Sequence, residues 1–129
     1  MTRVKRETVH TDKAPQAIGP YSQAVKTDKL IFVSGQLGLD PSTGEMADSD
    51  IQAETRQALI NLKMIIEAAG SGLDKVIKTT VFIKEMNDFP KINEIYAEFF
   101  PENPPARACV EVARLPKDGH VEIEAVAVI

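Results

Sequence analysis

Residues 49–69 read SDIQAETRQALINLKMIIEAA, and this stretch decides the fold. Ile51, Thr55, Ala58, Leu59, Leu62, Ile65, Ile66 and Ala69 recur at three- and four-residue steps, which gathers them on one side of an α-helix. Ser49 with Gln52 has the spacing of a capping box at the start. Gly70 supplies a left-handed stop beyond the end. A helix from Ser49 to Ala69 is about 31 Å long, against a radius of gyration of about 14 Å for a chain of this length. It spans the body, and its single apolar stripe needs a sheet to lie across.

Upstream of the helix the sequence is strand-like. Arg3 to Val9 alternates weakly, and Tyr21 to Lys26 is followed by the stronger run Leu30 to Ser34, with Thr27-Asp28-Lys29 as a hairpin turn between them. Ala14-Pro15 and Ile18-Gly19-Pro20 read as irregular loop, and Asp40-Pro41-Ser42-Thr43-Gly44 carries turn chemistry. Downstream, Lys75 to Glu85 is rich in β-branched residues and apolar on parts of both faces, the pattern of an interior strand. Asn87-Asp88 then caps a second helix, Phe89 to Phe100, which tolerates Pro90 in its first turn and is stopped by Pro101, Pro104 and Pro105. Two strands finish the chain, Ala106 to Leu115 and Val121 to Val128, joined by Pro116-Lys117-Asp118-Gly119. The order β-β-β-α-β-α-β-β predicts one α+β domain over residues 1–129, with both helices on one face of the sheet.

Composition narrows the functional classes. The chain has 129 residues, 19 acids against 15 bases, a net charge of −4, no Trp and 5% aromatic residues. A nucleic-acid surface needs basic groups to displace phosphate counterions and aromatic platforms to stack bases, and this balance offers neither. One cysteine excludes an intrachain disulfide. Cys109, His10 and His120 lie too far apart in sequence for a zinc pattern. Apolar runs such as Leu30-Ile31-Phe32-Val33 are too short to span a membrane, and the start of the chain has no apolar segment of a secretory signal, so a cytoplasmic protein is expected. A body this small holds a core but leaves little room for a deep pocket of its own.

Three polar positions break the apolar patterns. Asn93 projects within the second helix's stripe of Phe89, Ile92, Tyr96, Phe99 and Phe100, either as an edge residue bonding nearby backbone or as an amide aimed into a pocket. In Ala106 to Leu115, alternation sets Arg107, Cys109, Glu111 and Ala113 against Ala106, Ala108, Val110 and Val112. The second set is small and apolar and is expected to pack under the helices. Arg107, stiffened by Pro104-Pro105, is either a two-pronged carboxylate clamp or one half of a surface ion pair. Cys109 shares its face and reads as a packed thiol rather than a nucleophile. In the last strand, Glu122 and Glu124 sit beside Val126 and Val128. Desolvation there raises a carboxylate's pKa toward the acid–base range, whereas solvated acids at a strand end keep ordinary values. A simple hairpin between the last two strands sets Glu122 opposite Ala113, about 20 Å along the strand from Arg107. A site uniting Arg107 and Glu122 therefore needs an intervening strand or a second subunit.

These residues fall in a recognisable set. Pro105-Ala106-Arg107-Ala108-Cys109-Val110-Glu111-Val112-Ala113-Arg114-Leu115 followed by Val121-Glu122-Ile123 resembles the signature of the RidA/YjgF family. Ile18-Gly19-Pro20-Tyr21-Ser22-Gln23-Ala24, Val33-Ser34-Gly35-Gln36 and Lys78-Thr79-Thr80-Val81-Phe82 match the same family in order, over nearly the whole chain. The resemblance implies a chorismate-mutase-like α+β fold and a homotrimer whose sheets pack around a central barrel, with pockets between subunits. It also implies hydrolysis of 2-imino acids (2-iminobutanoate and 2-iminopropanoate) released by pyridoxal-phosphate enzymes, giving 2-oxo acids and ammonia without a metal or organic cofactor. By the same resemblance Arg107 binds the substrate carboxylate and Glu122 is the acid–base group. Tyr21, Ser34, Gly35, Asn93 and Cys109 complete the pocket. The Pro101-to-Pro105 connection is shorter than in many relatives, which alters the pocket rim. Other activities attached to such scaffolds are 2-oxo acid sensing without turnover, endoribonuclease or translation inhibition, and a stress holdase; the acidic charge and the lack of a His pair count against the ribonuclease.

Overall fold

The computed structural model describes residues 5–47 and 50–129. Its first long helix, α1 (Ile51–Ala68), carries Leu59, Leu62, Ile65 and Ile66 fully buried, as the periodicity predicts. Burying a side chain of this kind stabilises by about 1.5–3 kcal/mol, which makes the stripe the main energetic reason for the helix's placement. Ser49 lies outside the described residues. The cap is Asp50, whose carboxylate accepts from the Gln52 N–H. Gly70 follows the last turn at φ +90°, the left-handed stop expected of it.

Six strands form one sheet: β1 (Glu7–Val9), β2 (Ala24–Lys26), β3 (Leu30–Leu37), β4 (Val76–Ile83), β5 (Ala106–Glu111) and β6 (Val121–Val128). Their spatial order is β1-β2-β3-β6-β4-β5, antiparallel except for the parallel pair β4–β5. A second helix, α2 (Phe89–Phe99), crosses over between β4 and β5. It begins after a short 3₁₀ turn (Met86–Asp88), and Asp88 makes no side-chain cap bond, so the expected Asn87-Asp88 cap is replaced by that turn and Pro90. Both helices lie on one face, where Ile31, Val33, Val81, Ile83, Ile123 and Ala125 meet α1 and the Ile92, Ile95 and Tyr96 side of α2.

One open alternative is decided and one expectation needs correction. β5 and β6 do not form a hairpin: β4 sits between them, paired to both. The linker Pro116–Asp118 makes a 3₁₀ turn with Lys117 and Asp118 at φ +57° and +55°, carrying the chain past the end of β4 instead of folding it back in register. The facing of β5 is also reversed. Thr79 of β4 points to the helices, where its hydroxyl bonds the Tyr96 hydroxyl at 2.7 Å, and Arg107 is its register partner. Arg107 and Cys109 therefore share the helix side, while Ala106, Ala108 and Val110 point away from it. The opposite face has no helix over it and exposes Phe32 (47%) and Val110 (42%). An apolar strand face looks the same in sequence whether it is covered by its own chain or by another.

The interior position of β4 and the central one of β6 follow from strands apolar on both sides. Two buried polar side chains lock α1 to the sheet. Asn61 donates to the carbonyls of Leu37 (3.0 Å) and Leu39 (2.9 Å), and Glu54 accepts from the N–H groups of His120 (2.6 Å) and Val121 (3.2 Å). Gly38 lets the helix come this close, because a Cβ there would collide with the Glu54 backbone oxygen. Among the described residues, no helix is long and apolar enough to cross a membrane.

Candidate active site

The seven candidate residues fall into two groups on opposite faces of the sheet. The first surrounds a cleft of about 700 Å³ whose lining includes Tyr21, Ser34, Gly35, Lys117, Glu122 and Glu124. Ser34 sits where the β3–β6 register shifts between Val33 and Gln36, and its hydroxyl donates to the Ser22 carbonyl at 2.6 Å. That bond ties the strand to the loop carrying Tyr21, whose ring is half exposed. Gln23 secures the same loop from beneath: it accepts from the Thr11 N–H at 2.7 Å and donates to the Thr11 and Pro15 carbonyls at 3.0 and 2.8 Å.

Glu122 lies directly over Gly35. A Cβ at position 35 would stand 2.8 Å from the Glu122 carboxyl carbon, so a larger residue there would push this side chain out of its place. Burial pushes the Glu122 carboxyl above the ordinary carboxylate range, and the negative charge of Glu124 adds to the shift. Gly35→Ala is expected to displace the Glu122 side chain and lower the rate of any reaction that uses it by about tenfold or more, with KM less affected. Steady-state kinetics of that variant beside wild type, with a thermal melt of each, checks this.

The second group surrounds a shallower cleft of about 470 Å³ between α2 and the start of β5. Here the Arg107 Nη1 donates to the Asn93 Oδ1 at 2.7 Å. The guanidinium carbon stands 4.7 Å from the Tyr96 ring centroid and 5.2 Å from that of Phe89. Asn93 thus orients the arginine, and two aromatic faces support it. Among the described residues no carboxylate pairs with Arg107, so the ion-pair alternative is not what the fold builds. Cys109 is partly buried, and burial pushes its thiol pKa up while the Arg107 charge acts the other way. A thiol held protonated is a poor nucleophile, and Cys109 lies beside the cleft rather than in its lining. Among the described residues, no cluster of three or more His, Cys, Asp and Glu is arranged to hold a metal.

One chain does not join these halves. Across the sheet, Arg107 lines up with Thr79, and Glu122 with Phe82. Thr79 and Phe82 are three residues apart, an odd number, which puts their side chains on opposite faces. The strand between Arg107 and Glu122 exists, but it separates the two rather than joining them. Sequence reading missed Gln23, Glu54 and Asn61 as supports. The signal was present for two of these: Glu54 and Asn61 are spaced with Ala58 at helical steps, on the border of the apolar stripe.

A mixed six-stranded sheet with two helices on one face, a carboxylate over a glycine on the other and an oriented arginine at the edge defines a small α+β class. The family model described as endoribonuclease L-PSP matches residues 11–129. The chain belongs to that family, the RidA/YjgF family. It is 56% identical over 122 residues to a RutC family protein of Pyrococcus horikoshii, covering 95% of this chain and 97% of the relative. It is 51% identical over 128 residues to the 2-iminobutanoate/2-iminopropanoate deaminase of Mus musculus, covering 99% of this chain and 95% of that protein. Among solved structures, the YjgF gene product of E. coli superposes with a TM-score of 0.90 at 51% identity, covering 95% and 98% of the two chains. E. coli TdcF with bound serine superposes at 0.92, with 48% identity and coverage of 95% and 98%.

Proposed function

We propose that the protein hydrolyses reactive 2-imino acids, 2-iminobutanoate and 2-iminopropanoate among them, to 2-oxo acids and ammonia, in clefts between the subunits of a homotrimer. The observation that carries this reading is the Arg107 guanidinium, oriented by Asn93 and two aromatic rings with no carboxylate of its own among the described residues. A planar fork held in this way suits the carboxylate of a small acid. The mammalian relatives named as imine deaminases supply the reaction.

The chemistry asks little of the protein. Water adds across the C=N bond of the protonated imine, and the resulting carbinolamine loses ammonia to leave the 2-oxo acid. Glu122, its pKa raised, takes the proton from the attacking water and returns one to the departing nitrogen. Tyr21 and Ser34 hydrogen-bond the substrate or the water, and Cys109 shapes the wall beside the Arg107 clamp. The helix-free face, with Phe32 and Val110 exposed beside Glu122 and Glu124, is the surface that packs on neighbouring copies. Packing there brings one chain's Arg107 to another's Glu122. The protein acts on the products of pyridoxal-phosphate enzymes that eliminate water from hydroxy amino acids.

The test is a threonine dehydratase reaction run with a competing imine trap. Faster 2-oxobutanoate release with this protein than with buffer is expected, and equal rates would reject the reading. Binding of 2-oxo acids without rate enhancement would select the sensor instead.

A further inference from the structure

Glu54 is a buried acid that the reaction itself does not use. It is 2% exposed, in the first turn of α1, and both its oxygens are engaged. Oε2 accepts from the backbone N–H groups of His120 and Val121, and Oε1 meets the His120 Nδ1 at 3.0 Å. These are the two residues that precede Glu122, where β6 enters the sheet. On the other side of Glu122, its register partner is Leu37 of β3, and the Leu37 carbonyl is held by Asn61, two helical turns along α1 from Glu54. One helix therefore grips both strands at the level of the Glu122 carboxylate. The carboxylate lies close over Gly35, where a methyl group would overlap it.

We propose that Glu54 is a positioning residue for Glu122: by binding the backbone at His120 and Val121 it sets the height of the Glu122 carboxylate over Gly35. This rests on the reading of Glu122 as the acid–base group. Charge-assisted bonds from a buried carboxylate to backbone N–H groups are stiff, and a reacting group misplaced by about 1 Å can lose about 10²-fold in rate. Loss of the Glu54 grip therefore acts on kcat more than on KM.

Three variants separate positioning from plain stability. Glu54→Asp keeps the charge but withdraws it by one methylene. It is expected to lower kcat about tenfold or more with KM within about twofold, and to shift the pH midpoint of the Glu122 carboxyl followed by carbon NMR. Glu54→Gln keeps the length and accepts both N–H groups through its oxygen, so it is expected to restore kcat to within about threefold of wild type. Ile65→Ala, in the core about three turns along the same helix, destabilises without removing a hydrogen bond to His120 or Val121 and is expected to leave the Glu122 midpoint in place. Equal loss of kcat in Glu54→Asp and Ile65→Ala, or an unmoved Glu122 midpoint in Glu54→Asp, would each overturn the proposal. If wild type hydrolyses no imine, the proposed function fails, and the Glu122 midpoints alone decide the positioning role.

Discussion

Arg107→Ala is expected to lower kcat/KM for 2-imino acid hydrolysis by about 10²- to 10³-fold, while the fold remains intact. The magnitude comes from removing one partner of a charge-assisted, two-pronged contact, which costs about 2–5 kcal/mol in a desolvated site. Stability changes little, because Arg107 lies exposed on the edge strand β5 and its contacts are one amide oxygen and two ring faces. Arg107→Lys recovers only part of the loss, since an ammonium is a point charge without the fork. Titration calorimetry with a 2-oxo acid reads the same contact without turnover: wild type binds and Arg107→Ala does not. An unchanged kcat/KM in Arg107→Ala would remove the clamp from the mechanism.

Glu122→Gln has the second large effect, an expected fall in kcat of about 10²- to 10⁴-fold, the range for losing a general acid–base group. Its pH dependence has a definite sign. Burial and the charge of Glu124 raise the Glu122 pKa above the ordinary value of 4.5. The wild-type rate therefore rises with pH through a midpoint above that of a free carboxylate, and the variant lacks this limb. Stability moves the other way. A carboxyl whose pKa is raised by folding contributes stability that is fully present below its unfolded pKa and is lost as pH rises through the folded one. Glu122→Gln is consequently more stable than wild type at neutral pH, and the difference closes as pH falls below the ordinary carboxylate range. Urea denaturation at neutral and acidic pH measures it. A variant less stable than wild type at neutral pH would mean that the Glu122 carboxylate is not held at a cost.

Local pattern carries much of this fold. The α1 stripe, the Gly70 stop, the two-sided apolar character of β4 and β6 and the order of elements follow from periodicity and turn chemistry. The sheet order does not, because the insertion of β6 between β3 and β4 pairs residues that are distant in sequence. The facing of β5 is not legible for a related reason. Ala106, Ala108 and Val110 have the composition of a buried face, yet they point away from the helices onto the surface proposed to pack on neighbouring copies. The candidate residues Arg107, Asn93 and Glu122 stood out as polar interruptions of apolar patterns. Their division between two faces emerged only once the strand order placed Thr79 beside Arg107 and Phe82 beside Glu122.

The central claim is that Arg107 and Glu122 act together only across two copies of the chain. Mixing Arg107→Ala and Glu122→Gln chains after unfolding and refolding tests it directly. Each variant alone is expected to be nearly inactive, but mixed copies of the proposed trimer would contain clefts that take Arg107 from one chain and Glu122 from the other. Random assembly of equal amounts restores both groups in about one cleft in four, so about a quarter of wild-type activity is expected. A mixture no more active than the two variants measured separately would contradict the account.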